Sequence, residues 1–285
     1  MTPDDYCQDK TAKSGSSFYY SFRFLPEQQR QAIIALYAFC REVDDAVDEI
    51  ADIDVARKTL DWWRDEIHQT FAGNPSHPVG KALVTAINNF NLHEEYFMEI
   101  IDGMEMDLEQ FSYPEFKQLA LYCHRAASVV GLLSVEIFGY TDRKTLKYAE
   151  NLGIALQLTN IIRDVREDAE RGRIYLPLDE LEQFGVKTDD ILSLKSSPEL
   201  IALLKYQTDR AKQYYQQAMQ FLPDVDRYNQ RTALIMAAIY RTTLDEIEQD
   251  DFQVMHHRVS LTPIRKLWIA WKTARAEKQR YKKQL

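Results

Sequence analysis

The 285-residue chain has material for one large domain or two small ones, and its 45% apolar and 28% charged residues are ordinary for a globular protein. A net charge of −9, with acids spread along the chain, argues against a general nucleic-acid binder. Cys7, Cys40 and Cys123 lie far apart without a CxxC pair, so they read as reduced intracellular thiols and not as a disulfide framework.

The opening stretch, "MTPDDYCQDKTAKSG", is polar and lacks the apolar core of a signal peptide. No run approaches the roughly 18 to 20 apolar residues of a membrane span. The best stretch, 128–140, is short and carries Glu136. The chain therefore reads as cytoplasmic and soluble. Nine glycines and nine prolines are few for a β-rich or loop-rich protein, and no period-2 run is bounded by hairpin turns. Helical periodicity predicts helices over 27–50, 55–72, 79–91, 93–109, 114–139, 143–170, 198–221, 228–250 and 262–283. Breaks fall at 73–78, 114, 140–142, 172–177 and 223, and 185–198 is the most loop-like segment. The expectation is one all-α domain spanning 1–285.

The first predicted helix, "AIIALYAFCREVDDAVDE", puts Ile33, Tyr37, Cys40, Asp44 and Asp48 in one stripe, with Asp45 and Glu49 on the neighbouring face. A stripe that begins apolar thus ends in carboxylates. The 143–170 helix repeats the pattern: Gly153, Leu156 and Gln157 lead into Asn160, Asp164 and Asp168. Ile154, Leu158, Ile161, Ile162 and Val165 cover its other sides, and a helix apolar almost all round is normally buried. Carboxylates continuing an inward face are costly unless they meet a cation or strong donors. Asp and Asn oxygens, with no matching His or Cys set, suit Mg²⁺ better than zinc. The alternative is a pair of solvated faces closing helix ends, aided by Arg163 and Arg166. No HExxH motif, P-loop or GxGxxG after a strand occurs.

"YAFCREVDDAVDE" and "LQLTNIIRDVREDAERGRIYLP" resemble the two aspartate-rich signatures of the squalene/phytoene synthases, head-to-head prenyltransferases of the isoprenoid synthase fold. The resemblance runs from "SGSSFYYSFRFLP" to "HHRV", and the paired motifs stand about 116 residues apart. It implies a helical bundle with a central active-site cavity and several Mg²⁺ ions gripping the diphosphate of an allylic substrate. Asp44, Asp45 and Asp48 would form the first metal motif, and Asn160, Asp164 and Asp168 the second. Tyr37, Arg41, Arg163, Tyr240 and Arg258 would reach the diphosphate. Ser17 and Phe18 match a substrate flap, and Tyr122, Gln157 and Tyr175 match positions lining the reaction centre. Tyr122, Tyr175 and Arg41 are the residues this resemblance makes catalytic. For Arg41 a surface salt bridge is the competing reading, for Tyr122 a core position, and for Asp107 in "GMEMDLEQF" a solvated acid.

The implied substrate is a prenyl diphosphate, first of all farnesyl diphosphate. The motif wording is most similar to the bacterial presqualene diphosphate synthases of the hopanoid route, which stop at the cyclopropyl diphosphate and need no NADPH. The short C-terminus, without a membrane anchor, points the same way. Phytoene synthase on C20 substrates is the next reading, with squalene or dehydrosqualene synthase sharing the site. A class I terpene cyclase would lack the Arg41, Tyr240 and Arg258 set, and a non-catalytic assembly factor would have lost acids from one motif.

From 264 to 285 the charge reverses. Eight Lys or Arg face one acid, Glu277, with Leu267, Trp268 and Trp271 nearby. Two readings stay open: a final bundle helix with a solvated basic face, or peripheral contact with an anionic inner membrane surface.

Overall fold

The structure, a computed structural model, describes residues 1–13 and 18–284, the side chains of 18, 20 and 284 excepted. Ser17 and the side chain of Phe18 therefore lie outside the described residues. Described α-helices run α1 (Pro3–Lys13), α2 (Phe18–Phe22), α3 (Glu27–Asp48), α4 (Ile53–Phe71), α5 (Pro78–Asn89), α6 (Glu94–Glu109), α7 (Phe116–Cys123), α8 (Val129–Phe138), α9 (Lys144–Arg163) and α10 (Val165–Glu170). Then follow α11 (Leu178–Phe184), α12 (Thr188–Leu192), α13 (Pro198–Phe221), α14 (Arg231–Gln249) and α15 (Pro263–Gln284). Among the described residues there is no strand, only an isolated bridge between Ser112 and Ile174. The all-α expectation holds.

Local chemistry explains the helix ends. Asp52 caps α4 by accepting from the Asp54 and Val55 N–H groups, and Ser197 caps α13 ahead of Pro198. The polar start of the chain was not expected to be helical, yet α1 forms. Thr2 Oγ1 accepts from the Asp5 N–H while the Asp5 carboxylate accepts from the Thr2 N–H, at 3.1 and 3.0 Å. This reciprocal cap starts a helix that buries Cys7 and Thr11 against α3. The loop-like 185–198 segment holds one short helix, α12.

Two predicted long helices are interrupted. The 143–170 helix breaks at Asp164, whose φ of −103° and ψ of 16° end α9 and begin α10. The 114–139 helix contains a π-helical turn, His124–Ser128, closed by the Val129 N–H donating to the His124 carbonyl. That turn presses on α9 at Gly153, where a Cβ would stand 2.6 Å from the Ser128 nitrogen. The stretch Phe116–Phe138 has the length and composition to cross a membrane. Here it is a core segment, packed against α6 and α9.

Two large apolar clusters make the core. One gathers α1–α6 and α8, including Phe39 and Phe97; the other gathers α7 and α9–α15, including Tyr148 and Ile235. Each large side chain fully buried this way contributes about 1.5–3 kcal/mol. Ala126 and Ala233 pack against both clusters, so the clusters meet along that line. The functional site opens there.

Candidate active site

Two connected chambers lie between the clusters. The inner one, of about 250 Å³, is walled by apolar side chains such as Phe22, Ile33, Leu36, Val130, Leu152 and Met236. The outer one, of about 340 Å³, is lined mainly by Asp44, Asp48, Asp164 and Asp168 with Arg41, Arg163, Arg171, Arg173 and Arg258. Arg41, Asp44, Met104, Ala126, Gln157 and Asn160 border both chambers. The two acidic stripes seen in the sequence thus face one space and do not lie on two separate solvated faces.

On the α3 wall, Arg41 bonds Asp44 and Asp45. Asp45 also takes Lys10 at 2.8 Å and lines neither chamber. Asp48 crosses the opening to Arg171 and Arg173, at 2.9 and 2.8 Å. Burial pushes the Asp44 carboxyl up to about 6, against the pull of Arg41, with Asp48 and Asp45 adding to the rise.

On the α9–α10 wall, Arg163 and Arg258 both grip Asp164, Arg258 Nε at 2.8 Å. Burial opposes its ionisation, but the two guanidiniums outweigh burial and hold it below the ordinary carboxylate range. Asp168, one turn on, has no side-chain partner among the described residues. Burial, then the charges of Asp164 and Asp107, raise it to about 8. Asn160 donates to Gln157 at 3.3 Å while its Oδ1 is buried without a partner. Arg166, the cation of the alternative reading, instead donates to the His256 carbonyl and pairs with Glu170.

The donor set fits Mg²⁺. It is all oxygen, it contains an orphaned amide oxygen, and Asp168 is a carboxyl without an ion-pair partner among the described residues. Among the described residues no three His, Cys, Asp or Glu side chains close around one point. Ions held here would therefore complete their shells with water and phosphate oxygens, as Mg²⁺ commonly does.

In the wall of the outer chamber, Tyr122 and Tyr175 donate to the two oxygens of Asp107, at 3.0 and 2.7 Å. Their rings stack with centroids 5.1 Å apart, and Tyr113 packs on both. Asp107 is buried, which corrects the solvated reading; burial raises its carboxyl to about 7 against the hydrogen bonds of the tyrosines. Burial followed by the Asp107 charge keeps both phenols well above their usual range, so they remain donors.

The remaining expected residues divide. Tyr37 and Gln157 line the inner chamber. Tyr240 is buried behind Arg163 and bonded to it, one layer from the space. Sequence reasoning missed Arg171, Arg173 and Lys10 as partners of the acids. The two arginines of "ERGRIYLP" were a visible signal, whereas Lys10 sits on a helix that was not expected.

With this geometry in view, the comparisons are specific. The family model described as squalene/phytoene synthase matches residues 11–265. A phytoene synthase of Arthrospira platensis is 37% identical over 280 residues, covering 92% of this chain and 89% of the relative. The phytoene synthase of Mycobacterium tuberculosis is 38% identical over 270 residues, covering 91% and 86%. Among solved structures, a dehydrosqualene synthase in complex with ligand matches with a TM-score of 0.88 at 28% identity, over 97% of each chain. The squalene synthase HpnC from Alicyclobacillus acidocaldarius matches with a TM-score of 0.78 at 28% identity, over 88% of this chain and 94% of that one.

Proposed function

Since the chain belongs to the squalene/phytoene synthase family, a family of head-to-head prenyltransferases, we propose that it joins two geranylgeranyl diphosphates into phytoene with Mg²⁺ and no reductant. The carrying observation is the pair of connected chambers: one polar and rich in acids and arginines, the next walled mostly by apolar side chains. The C20 substrate is favoured by the names of the relatives at 37 and 38% identity.

Asp44, Asp48, Asn160, Asp164 and Asp168 would hold the ions, and bound Mg²⁺ would neutralise charge on a departing diphosphate. Arg41, Arg163 and Arg258 line the same chamber as donors for phosphate oxygens. When the C1–O bond of the first substrate breaks, the diphosphate keeps the electron pair. The double bond of the second substrate attacks the allylic cation, and one proton is lost as the cyclopropane closes. Departure of the second diphosphate and loss of a second proton give the hydrocarbon. Tyr122 and Tyr175, fixed by Asp107, present electron-rich rings beside the chamber, an arrangement that favours a nearby cation. The apolar inner wall keeps water from the cations.

A second reading, farnesyl diphosphate condensed to presqualene diphosphate, is favoured by the squalene and dehydrosqualene synthases among the structural neighbours. Purified protein incubated with Mg²⁺ and radiolabelled C15 or C20 diphosphate, with and without NADPH, separates the two. A hydrocarbon from the C20 substrate without NADPH is the expected outcome. A C15 product extractable only after phosphatase moves the assignment to presqualene diphosphate. No product from either substrate overturns the catalytic reading.

A further inference from the structure

The inner face of α15 is accounted for: Ile269 and Ala270 are buried, and Glu277 is bound by Arg227 through contacts of 2.8 and 2.9 Å. The outer face is not. Ile264, Leu267, Trp268 and Trp271 are 80, 40, 55 and 51% exposed. At 100° per residue they fall in a single stripe about 100° wide. Arg275, Lys278 and Lys282 prolong the stripe toward the C-terminus, and Lys272 flanks it. Lys272 sits over the Trp268 ring at 4.8 Å and Arg275 over Trp271 at 5.3 Å. Among the described residues no acid pairs with Lys272, Arg275, Lys278 or Lys282.

We propose that this face of α15 seats the protein on a bilayer carrying anionic headgroups. Tryptophans belong at the boundary between headgroup and hydrocarbon, and lysine stems can lie along apolar surface while their ammonium groups reach phosphate. The stripe combines both on a helix whose remaining residues are mostly charged or polar, the signature of a helix that lies in the interface plane. Charge selects the partner. The 264–285 segment carries eight cationic side chains and one acid in a chain of net charge −9. A second copy meeting this face across a twofold axis would set cations against cations. An anionic lipid surface satisfies both the rings and the charges.

The position of α15 gives the contact a direction. Lys266, in its first turn, lies near enough to Arg163 and Arg258 that their charges add to burial in lowering its ammonium pKa. The helix also packs on α2, whose Phe22 lines the inner chamber. The helix that carries the membrane face therefore runs beside the site, its inner side toward the site and its stripe turned outward, whichever prenyl substrate that site takes.

The test is flotation of the full chain with vesicles of equimolar phosphatidylglycerol and phosphatidylcholine, against phosphatidylcholine alone. Binding to the first and not the second, weakened by added salt, is expected. Trp268→Ser with Trp271→Ser, and separately Lys272→Glu with Arg275→Glu and Lys278→Glu, should each lower the partition coefficient roughly tenfold or more. Circular dichroism checks that these exposed substitutions leave the fold intact. In the unaltered protein, brominated phosphatidylglycerol should quench tryptophan emission. Absence of flotation with anionic vesicles, undiminished binding by both variants, or absence of quenching overturns the proposal. So does a dimer in sedimentation velocity that the tryptophan variant dissolves.

Discussion

The two acidic walls are alike in spacing and unlike in construction. Asp44 and Asp48 ride the end of one unbroken helix, α3, whereas Asp164 occupies the break between α9 and α10. Compensation differs as well. Asp48 is held by arginines of the opposite wall, and Asp164 by its neighbour Arg163 and the distant Arg258. Each wall nevertheless keeps one carboxyl with a raised pKa, Asp44 and Asp168. Arginine thus covers part of each wall's charge and leaves a remainder that a divalent cation would take. Equal spacing of acids is therefore no guide to equal roles.

The strongest test of the walls as joint partners is to remove one acid from each. Asp44→Ala and Asp168→Ala should both lower Mg²⁺-dependent turnover by roughly 10³-fold, the scale for losing electrostatic stabilisation of a leaving group. If one variant keeps near-normal turnover, the walls are not partners. Next in size is the buried acid that the two tyrosines hold. Asp107 titrates near 7 in the folded protein against an ordinary 3.8, so its contribution to stability is full below about pH 4 and fades as pH rises through about 7. Urea titrations of Asp107→Asn should lack that fall, which is on the order of a few kcal/mol. An unchanged slope would mean that Asp107 is not protonated in this range.

A smaller effect probes how the second wall is held. Gly153→Ala places a methyl group against the Ser128 backbone and should cost about 1–3 kcal/mol in urea unfolding. Wild-type stability would show that the π-helical turn yields. Smallest of all, Asp45→Asn should shift stability by no more than about 1 kcal/mol, as for a partly exposed ion pair. Turnover should stay close to wild type because Asp45 lines neither chamber. A loss matching that of Asp44→Ala would restore Asp45 to the first metal motif.

Which parts of this were legible beforehand follows from the range of the interactions. The stripes on α3 and on α9–α10 repeat at helical spacing, so both walls could be named as candidates, although the spacing alone left a solvated face open. The break at Asp164 was hidden because the apolar pattern continues through it to Val165. Asp107 stands between Met106 and Leu108, a pattern that fits a solvated edge as well as a buried one. Only Tyr122 and Tyr175, 15 and 68 residues away, decide the matter. Arg173 and Asp48 are 125 residues apart, beyond any local signal. The start of α1 is the opposite case. Its Thr2–Asp5 cap is written in four residues, but the polarity of the stretch concealed it.

The π-helical turn at His124–Ser128 acts as a phase slip in the wall. A helix advances about 100° per residue, so in an unbroken α-helix Tyr122 and Ser134 would sit about 120° apart. One residue taken up by the wider turn brings them to within about 20°. The same helical stretch can then present Tyr122 to the polar chamber and Val130 and Ser134 to the apolar one, along a single line. Were that turn to regularise to α-helix at unchanged length, Tyr122 and Ser134 would return to about 120° apart and the inner wall would rotate away from the tyrosine. In this protein the alignment of reaction centre and hydrocarbon channel is stored as a residue count.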